Sequence, residues 1–473
     1  MNIADRFEEA AAKYATRPAL YCGNDDISAM TYADLNYWAD ATATVLAESY
    51  GIGTGDRVGI MARNSKAWVI ALLAIMKLRA VPFNVNYRYT IAEADEVLRI
   101  AQTKLVIGHR SIPGYDCMDI EGVGRADPIA HLAYEKRSGD DEFVVFTGGT
   151  TGAPKGVRWR HEDLIKTSLS SARTDTHVTM LVVPPLMHGS ASQAVLTMLL
   201  SGNTAVLYEG SFDPVQAWDL ITDYDCKTAI VVGDAMARPM AENIREAPWF
   251  EMLVSAGAVL SPDVKEKFEA AGYAVIDTYG SSELGGGGIG VGAGRFALPA
   301  GAAVVVDGRL AKPGEEGVVA RTGAVSLGYL NDPVATAEAY AEIDGDRYVL
   351  TRDAARLEDD GTVTLLGRID ACINTGGEKV WAEEVEVVLR SHSAVRDALV
   401  VGVPHPEWGQ EVTAVVAADV GIDEAEVLAR DLQALCRETL AGYKVPKRIV
   451  WVDGVVRSPA GKPDYEWARA VAC

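Results

Sequence analysis

The sequence predicts an α/β protein: a large N-terminal domain of stacked α/β subdomains plus a β-barrel-like subdomain, then a small α+β C-terminal domain. Three observations carry this. The chain has 473 residues, more than one hydrophobic core ordinarily holds. Up to Gly280, apolar strand-like runs alternate with helical patterns, as in parallel sheets covered by helices. Beyond Gly280 the runs shorten and turn pairs separate them, which is an antiparallel texture.

The elements follow in order. Thr31 reads as a helix N-cap with Asp34 three residues on, Leu35, Trp38, Val45 and Leu46 as the apolar stripe, and Gly51 as the stop. Val58 to Met61 reads as a strand, Ser65 to Lys77 as a helix and Val81 to Val85 as a strand. Thr90 with Glu93 repeats the capping pattern before the strand Leu105 to Ile107. Val178 to Val183, Thr228 to Val232, Met252 to Val254 and Ala274 to Thr278 continue the strands, and Asp213-Pro214 and Ser261-Pro262 open helices. Leu284 to Gly294 is glycine-dense. From Val304 to Leu366 the pairs Asp307-Gly308, Asp344-Gly345 and Asp360-Gly361 mark hairpin turns. The last hundred or so residues read strand, helix (Ala382 to Arg390), two strands, helix (Glu424 to Leu440), strand.

Composition narrows the function. A formal charge of −22 and a pI near 4.8 oppose non-specific nucleic-acid binding, which rests on neutralising phosphates. The six cysteines form no Cys-x-x-Cys pair, which argues against a zinc site and suits a reducing, cytoplasmic setting. Met1 to Arg6 does not read as a signal peptide, and the longest apolar run, Trp68 to Met76, is too short to span a bilayer. Oligomeric state is not legible; a homodimer is an open expectation.

One stretch organises the rest. Phe143 to Phe146 reads as a buried strand emptying into Thr147-Gly148-Gly149-Thr150-Thr151-Gly152-Ala153-Pro154-Lys155-Gly156. Glycines let successive amides face one concave side, threonine hydroxyls donate further bonds, and Lys155 adds a mobile positive charge: a nest for phosphate. A small-residue turn from strand to helix is the other reading. The Gly-Lys-Ser/Thr order of a Walker loop is absent.

This loop resembles the signature loop of the AMP-forming adenylating enzymes, which include acyl-CoA synthetases and peptide-synthetase adenylation domains. Further matches, in order, are Ser255-Ala256-Gly257-Ala258, Tyr279-Gly280-Ser281-Ser282-Glu283, Gly328 to Pro333, Asp353, Leu366-Gly367-Arg368-Ile369-Asp370, Asn374-Thr375-Gly376-Gly377-Glu378-Lys379, Gly442 to Lys447 and Ser458 to Pro463. The resemblance therefore covers nearly the whole chain. It places the domain boundary at 369/370 and makes residues 370–473 a mobile C-terminal domain.

The resemblance also implies roles. Thr147 to Gly152 and Lys155 hold the ATP phosphates, and Gly257 and Ala258 line the adenine pocket with backbone. Tyr279 stacks on adenine, Ser282 contacts phosphate and Glu283 binds the Mg²⁺ of MgATP, in keeping with the preference of a hard cation for carboxylate oxygen. Threonine is usual where Ser282 stands. Asp353 accepts the ribose hydroxyls, although Arg352 replaces the usual glycine, and Arg368 is the second ribose or phosphate contact. His188, in Pro185-Leu186-Met187-His188-Gly189, positions the carboxylate, its alternative being an ordinary packed histidine. Gly376 and Gly377 line the channel for coenzyme A. Lys462 is the catalytic lysine.

The implied reaction is that of an acyl-CoA synthetase. A carboxylic acid, fatty or otherwise bulky and apolar, attacks ATP to give acyl-AMP and pyrophosphate, and coenzyme A then takes the acyl group. The subgroup resembled most is the actinobacterial ligases of fatty acids and steroid side-chain acids. This chain is shorter, with the shortening expected near 110–140 and 284–305. An enzyme loading a carrier protein and a non-catalytic nucleotide-binding paralogue remain the alternatives.

Overall fold

A computed structural model describes residues 1–23, 26–125, 134–147, 154–169, 176–258, 260–292, 294–418, 422–457 and 463–473. Gly148, Gly149, Thr150, Thr151, Gly152 and Lys462 lie outside the described residues.

The capping signals place helices where expected. Thr31 and Thr90 each close a capping box over the helices Tyr32–Tyr50 and Ile91–Ala101, and Gly51 ends the first with φ near 60°. Asp213 caps Pro214–Asp223 with Pro214 at the first helical position. Ser261 precedes Pro262–Ala270 without capping it; its hydroxyl and amide both bond Asp234 instead.

Strands of the first sheet run in the order Gly328–Tyr329, Lys155–Arg160, Glu142–Thr147, Val81–Asn84, Arg57–Met61, Leu105–Gly108, Asp116–Asp119. The last five are mutually parallel. The glycine-rich stretch does not lead into a helix: Glu142–Thr147 and Lys155–Arg160 pair antiparallel, so the stretch joins two neighbouring strands. Gly328–Tyr329 then pairs with Val157 and Arg158 across 170 residues of sequence.

A second sheet has the parallel strands Pro18–Cys22, Thr204–Leu207, Thr179–Val182, Thr228–Val231, Met252–Ala256 and Ala274–Ser281 at its centre. Helices Tyr32–Tyr50, Lys66–Lys77 and Gly189–Leu200 share one core with residues of both sheets, including Leu35, Leu73, Leu196, Ile107 and Leu207, which gives the stacked arrangement.

The antiparallel part is present, but its hydrogen bonding is continuous with this second sheet. Gly285–Gly292 pairs antiparallel with Ala274–Ser281 and continues through Arg295–Ala297, Val363–Arg368, Asp346–Leu357, Glu316–Thr322 and Ala302–Val306. Among the described residues these strands do not close into a ring: the path ends at the edge strand Arg309–Leu310. Asp307-Gly308 and Asp344-Gly345 take positive φ at both positions, the turn that matches strand twist.

Residues 372–473 hold a five-stranded sheet with helices Ala382–Arg390, Ile422–Thr439 and Tyr465–Ala472 and a core of their own, around Val385, Leu389, Leu399, Val415 and Leu432. No helix among the described residues is long and apolar enough to cross a membrane.

Candidate active site

A cleft of about 2630 Å³ is lined by the N-terminal part and by Ala382–Arg390, and it takes in the carboxyl ends of parallel strands from both sheets at Asn84, Thr147, Ala256 and Ser281. Ligands of open α/β sheets bind beyond such strand ends. Most of the residues named from sequence meet here: Thr147, Lys155, His188, Gly257, Ala258, Tyr279, Ser282, Glu283, Asp353 and Arg368 all line it.

Tyr279 and Ser282 lie on and just after the strand Ala274–Ser281, whose close neighbour explains Gly280: a Cβ there would sit 2.6 Å from the Gly285 carbonyl oxygen. The Tyr279 hydroxyl donates to Asp353 Oδ2 at 2.7 Å, and burial with this carboxylate raises the phenol well above its ordinary range. The ring and the carboxylate are thus one unit. Asp353 does not close a turn. It lies within the strand Asp346–Leu357, directly opposite Arg368, whose Nη1 is 3.6 Å from Asp353 Oδ1. The strand simply passes through position 352, where glycine is usual in the family resembled. Arg352 there points its guanidinium at Asp370, with Nε 2.8 and 3.0 Å from the two carboxylate oxygens.

Glu283 follows in the turn, where its Oε1 accepts from the Tyr329 hydroxyl at 2.9 Å. Lys155 Nζ stands 5.0 Å from the centre of the Tyr329 ring. Burial beside Glu283 raises the Tyr329 phenol, keeping it a donor. The turn is anchored by Trp159, whose indole donates to the Ser282 carbonyl at 2.8 Å, and by Ser326, whose hydroxyl donates to the Glu283 carbonyl at 2.9 Å. Sequence reasoning noted Gly328 to Pro333 as a pattern but gave Tyr329 no role.

His188 stands at the N-cap of Gly189–Leu200 without capping it by its side chain. Asn84 fixes its approach: the side-chain amide donates to the Met187 carbonyl and to Phe146 O, while its oxygen accepts the Phe146 amide at 2.9 Å. Asn64 does the same for Pro184 and Leu186. The same cleft is also lined by the apolar side chains of Met180, Leu196, Ile230 and Val254 and by Gly288 and Gly290.

One predicted pair stands elsewhere. Gly376 and Gly377 form a tight turn with φ near 58° and 87°, roofed by exposed Trp408, and they do not line the cleft. Lys462 lies outside the described residues, but its flanks Arg457 and Pro463 form a β-bridge and do line the cleft.

The residues fit a magnesium ion carried by a nucleotide. No group of three or more metal-ligating side chains occurs among the described residues, and Glu283 is a single carboxylate with one oxygen engaged by Tyr329. A lone carboxylate, with substrate phosphates and water supplying the rest, is what Mg²⁺ with ATP takes.

Residues 7–330 match the AMP-binding enzyme family, and 384–462 match the AMP-binding enzyme C-terminal domain. The chain belongs to this family. It is 37% identical to 3-oxocholest-4-en-26-oate–CoA ligase of Rhodococcus rhodochrous, covering 99% of this chain and 95% of that one. It is 38% identical to a medium/long-chain-fatty-acid–CoA/3-oxocholest-4-en-26-oate–CoA ligase of Mycobacterium marinum, covering 99% and 96%. The alignment to the first spans 538 positions, so that relative carries segments this 473-residue chain lacks. Among solved structures, o-succinylbenzoate CoA synthetase of Bacillus subtilis, in complex with its acyl-adenylate intermediate, superposes with a TM-score of 0.87 over 98% of this chain and 97% of that one, at 23% identity. That likeness establishes the fold.

Proposed function

We propose that this chain is an AMP-forming acid–CoA ligase acting on fatty or bulky apolar carboxylic acids, including steroid side-chain acids. The observation that carries it is the joining of two things in one cleft: a nucleotide set (Tyr279, Asp353, Arg368, Glu283, Lys155) and an apolar lining that includes Met180, Leu196, Ile230 and Val254 beside His188.

Each residue then has a task. Tyr279 offers adenine a flat face while its hydroxyl holds Asp353 ready for the ribose, with Arg368 opposite. Gly257 and Ala258 border the adenine by backbone. Thr147, Gly148, Gly149, Thr150, Thr151, Gly152, Lys155 and Ser282 hold phosphate, and His188 positions the acid. Lys462 stabilises charge on the α-phosphate. Mg²⁺, held through Glu283, would neutralise phosphate charge. The boundary at 369/370 lets the second unit, 370–473, bring Gly376 and Gly377 to the acyl-adenylate for coenzyme A. Activation is needed because a free carboxylate is a poor electrophile, and the mixed anhydride supplies a good leaving group. A cytoplasmic location and a homodimer belong to this reading; sedimentation tests the second.

The test is pyrophosphate release across a panel of carboxylic acids, with mass spectrometry for CoA thioesters. Gly285, Gly286, Gly288 and Gly290 add little side-chain volume to the lining, so ring-bearing and branched acids are expected to outcompete acetate. Preference for acetate or propionate would sink the substrate class. Acyl-AMP without thioester would favour a carrier-protein acceptor, and no pyrophosphate with any acid a non-catalytic protein.

Glu283→Ala is expected to raise the Mg²⁺ concentration giving half-maximal adenylation by about tenfold, the loss of a single charged ligand contact. Unchanged Mg²⁺ dependence in a metal titration would remove Glu283 from that role.

A further inference from the structure

Glu383 opens the helix Ala382–Arg390, where an acidic residue ordinarily just complements the helix dipole. Its surroundings are unlike that. Oε2 accepts the Arg368 backbone amide at 3.0 Å, across the junction between the two units. Arg368 closes the strand Val363–Arg368, opposite Asp353. Gly367, with φ near 133°, leaves the seat: a Cβ there would lie 2.5 Å from Glu383 Oε2. A side chain from the C-terminal unit thus completes the backbone that carries the proposed ribose pair.

We infer that Glu383 is a positioning residue for nucleotide binding, its carboxyl group setting the Asp353–Arg368 pair only while the C-terminal unit is docked as seen here. The inference rests on the adenylating function proposed above. It makes the nucleotide pocket complete in one pose and loose in the other, so that docking and AMP retention are coupled.

The groups around Glu383 give this a pH signature. Asp353 and Arg368 face it from the N-terminal strands, Glu386 from its own helix and Tyr465 from the last helix; Arg390 and Arg457 act on Glu386 from behind. Burial, then Glu386 and Asp353, push the Glu383 carboxyl from 4.5 up to about 8. The docked pose therefore favours the neutral acid. Its contribution is full below the ordinary glutamate range, weakens as pH rises above it, and is lost once pH passes about 8.

The experiment is calorimetric titration of AMP into the full chain at pH 7 and pH 9, with thermal unfolding of each variant recorded alongside. Glu383→Ala is expected to weaken AMP about tenfold at pH 7 and to raise the KM for ATP, while conversion of supplied acyl-AMP and CoA to thioester changes less than about twofold. Glu383→Gln, which keeps a neutral acceptor, is expected to bind AMP as the natural protein does at pH 7. The natural protein should lose about fivefold in affinity between pH 7 and 9, and the Gln variant should not. Undiminished AMP affinity in Glu383→Ala, or the same pH loss in Glu383→Gln, overturns the inference. A natural protein that binds AMP but adenylates no acid overturns the functional reading, and the Glu383 comparison still decides the inference.

Discussion

Lys462→Ala is expected to slow acyl-adenylate formation by about 10²–10³, equivalent to roughly 3–4 kcal/mol of lost stabilisation of charge developing on the α-phosphate. Supplied acyl-AMP and CoA should still give thioester at a rate within about twofold of the natural protein, since a group used only in the first transition state leaves the second untouched. The asymmetry follows from where the lysine is carried. Arg457 and Pro463, its flanks, line the cleft together with the face of Ala382–Arg390, whereas the Gly376-Gly377 turn does not. The pose described here is therefore the one expected to serve adenylation. Pyrophosphate exchange reads the first half-reaction, and thioester formation from acyl-AMP reads the second. Equal slowing of both would refute the use of two poses.

Much of this was readable locally. Thr31, Thr90 and Asp213 announce helices because a side-chain oxygen satisfies amides that the first turn leaves bare. Asp307-Gly308 and Asp344-Gly345 announce hairpins because both positions tolerate positive φ. Tyr279, Glu283, Asp353 and Arg368 were legible through resemblance, and the fold gathers them. What escaped depends on distant pairing. Nothing near Lys155–Arg160 says that its neighbour is Gly328–Tyr329, and without that pairing Tyr329 cannot be placed between Lys155 and Glu283. The glycine-dense run hid a strand, since glycine lacks the side-chain packing that marks β structure, and so concealed the continuity of the second sheet. Glu383 was hidden by its ordinary position in a first turn. Only the strand Val363–Arg368 packed against it gives it the Arg368 amide to hold.

Asp370→Pro is expected to reverse the pattern of Lys462→Ala, lowering thioester formation from acyl-AMP by roughly tenfold or more while adenylation stays within about threefold, because proline fixes φ at the joint. Asp370 is the middle residue of the single turn Ile369–Ala371, which links the strand Val363–Arg368 to the first strand of the C-terminal unit. On the proposed reading Gly376 and Gly377 reach the cleft by rotation of that unit, and a hinge needs only a few residues free to change φ and ψ. Proline also restricts Ile369, so two consecutive residues lose that freedom. Arg352 supplies a control that does not touch the backbone. Its guanidinium grips Asp370 in the pose seen here, with Arg352 56% exposed and Asp370 17%. Surface pairs contribute about 0.2–1 kcal/mol, so Arg352→Ala should ease departure from this pose and speed the second half-reaction by up to roughly fivefold. Asp370→Pro removes the same ion pair, so a loss of thioester formation in it reports the stiffened backbone, whereas the Arg352 variant releases the pair alone. If Asp370→Pro spares thioester formation, or if both variants shift the two half-reactions in the same direction, rotation about Asp370 is not how this chain presents coenzyme A to its acyl-adenylate.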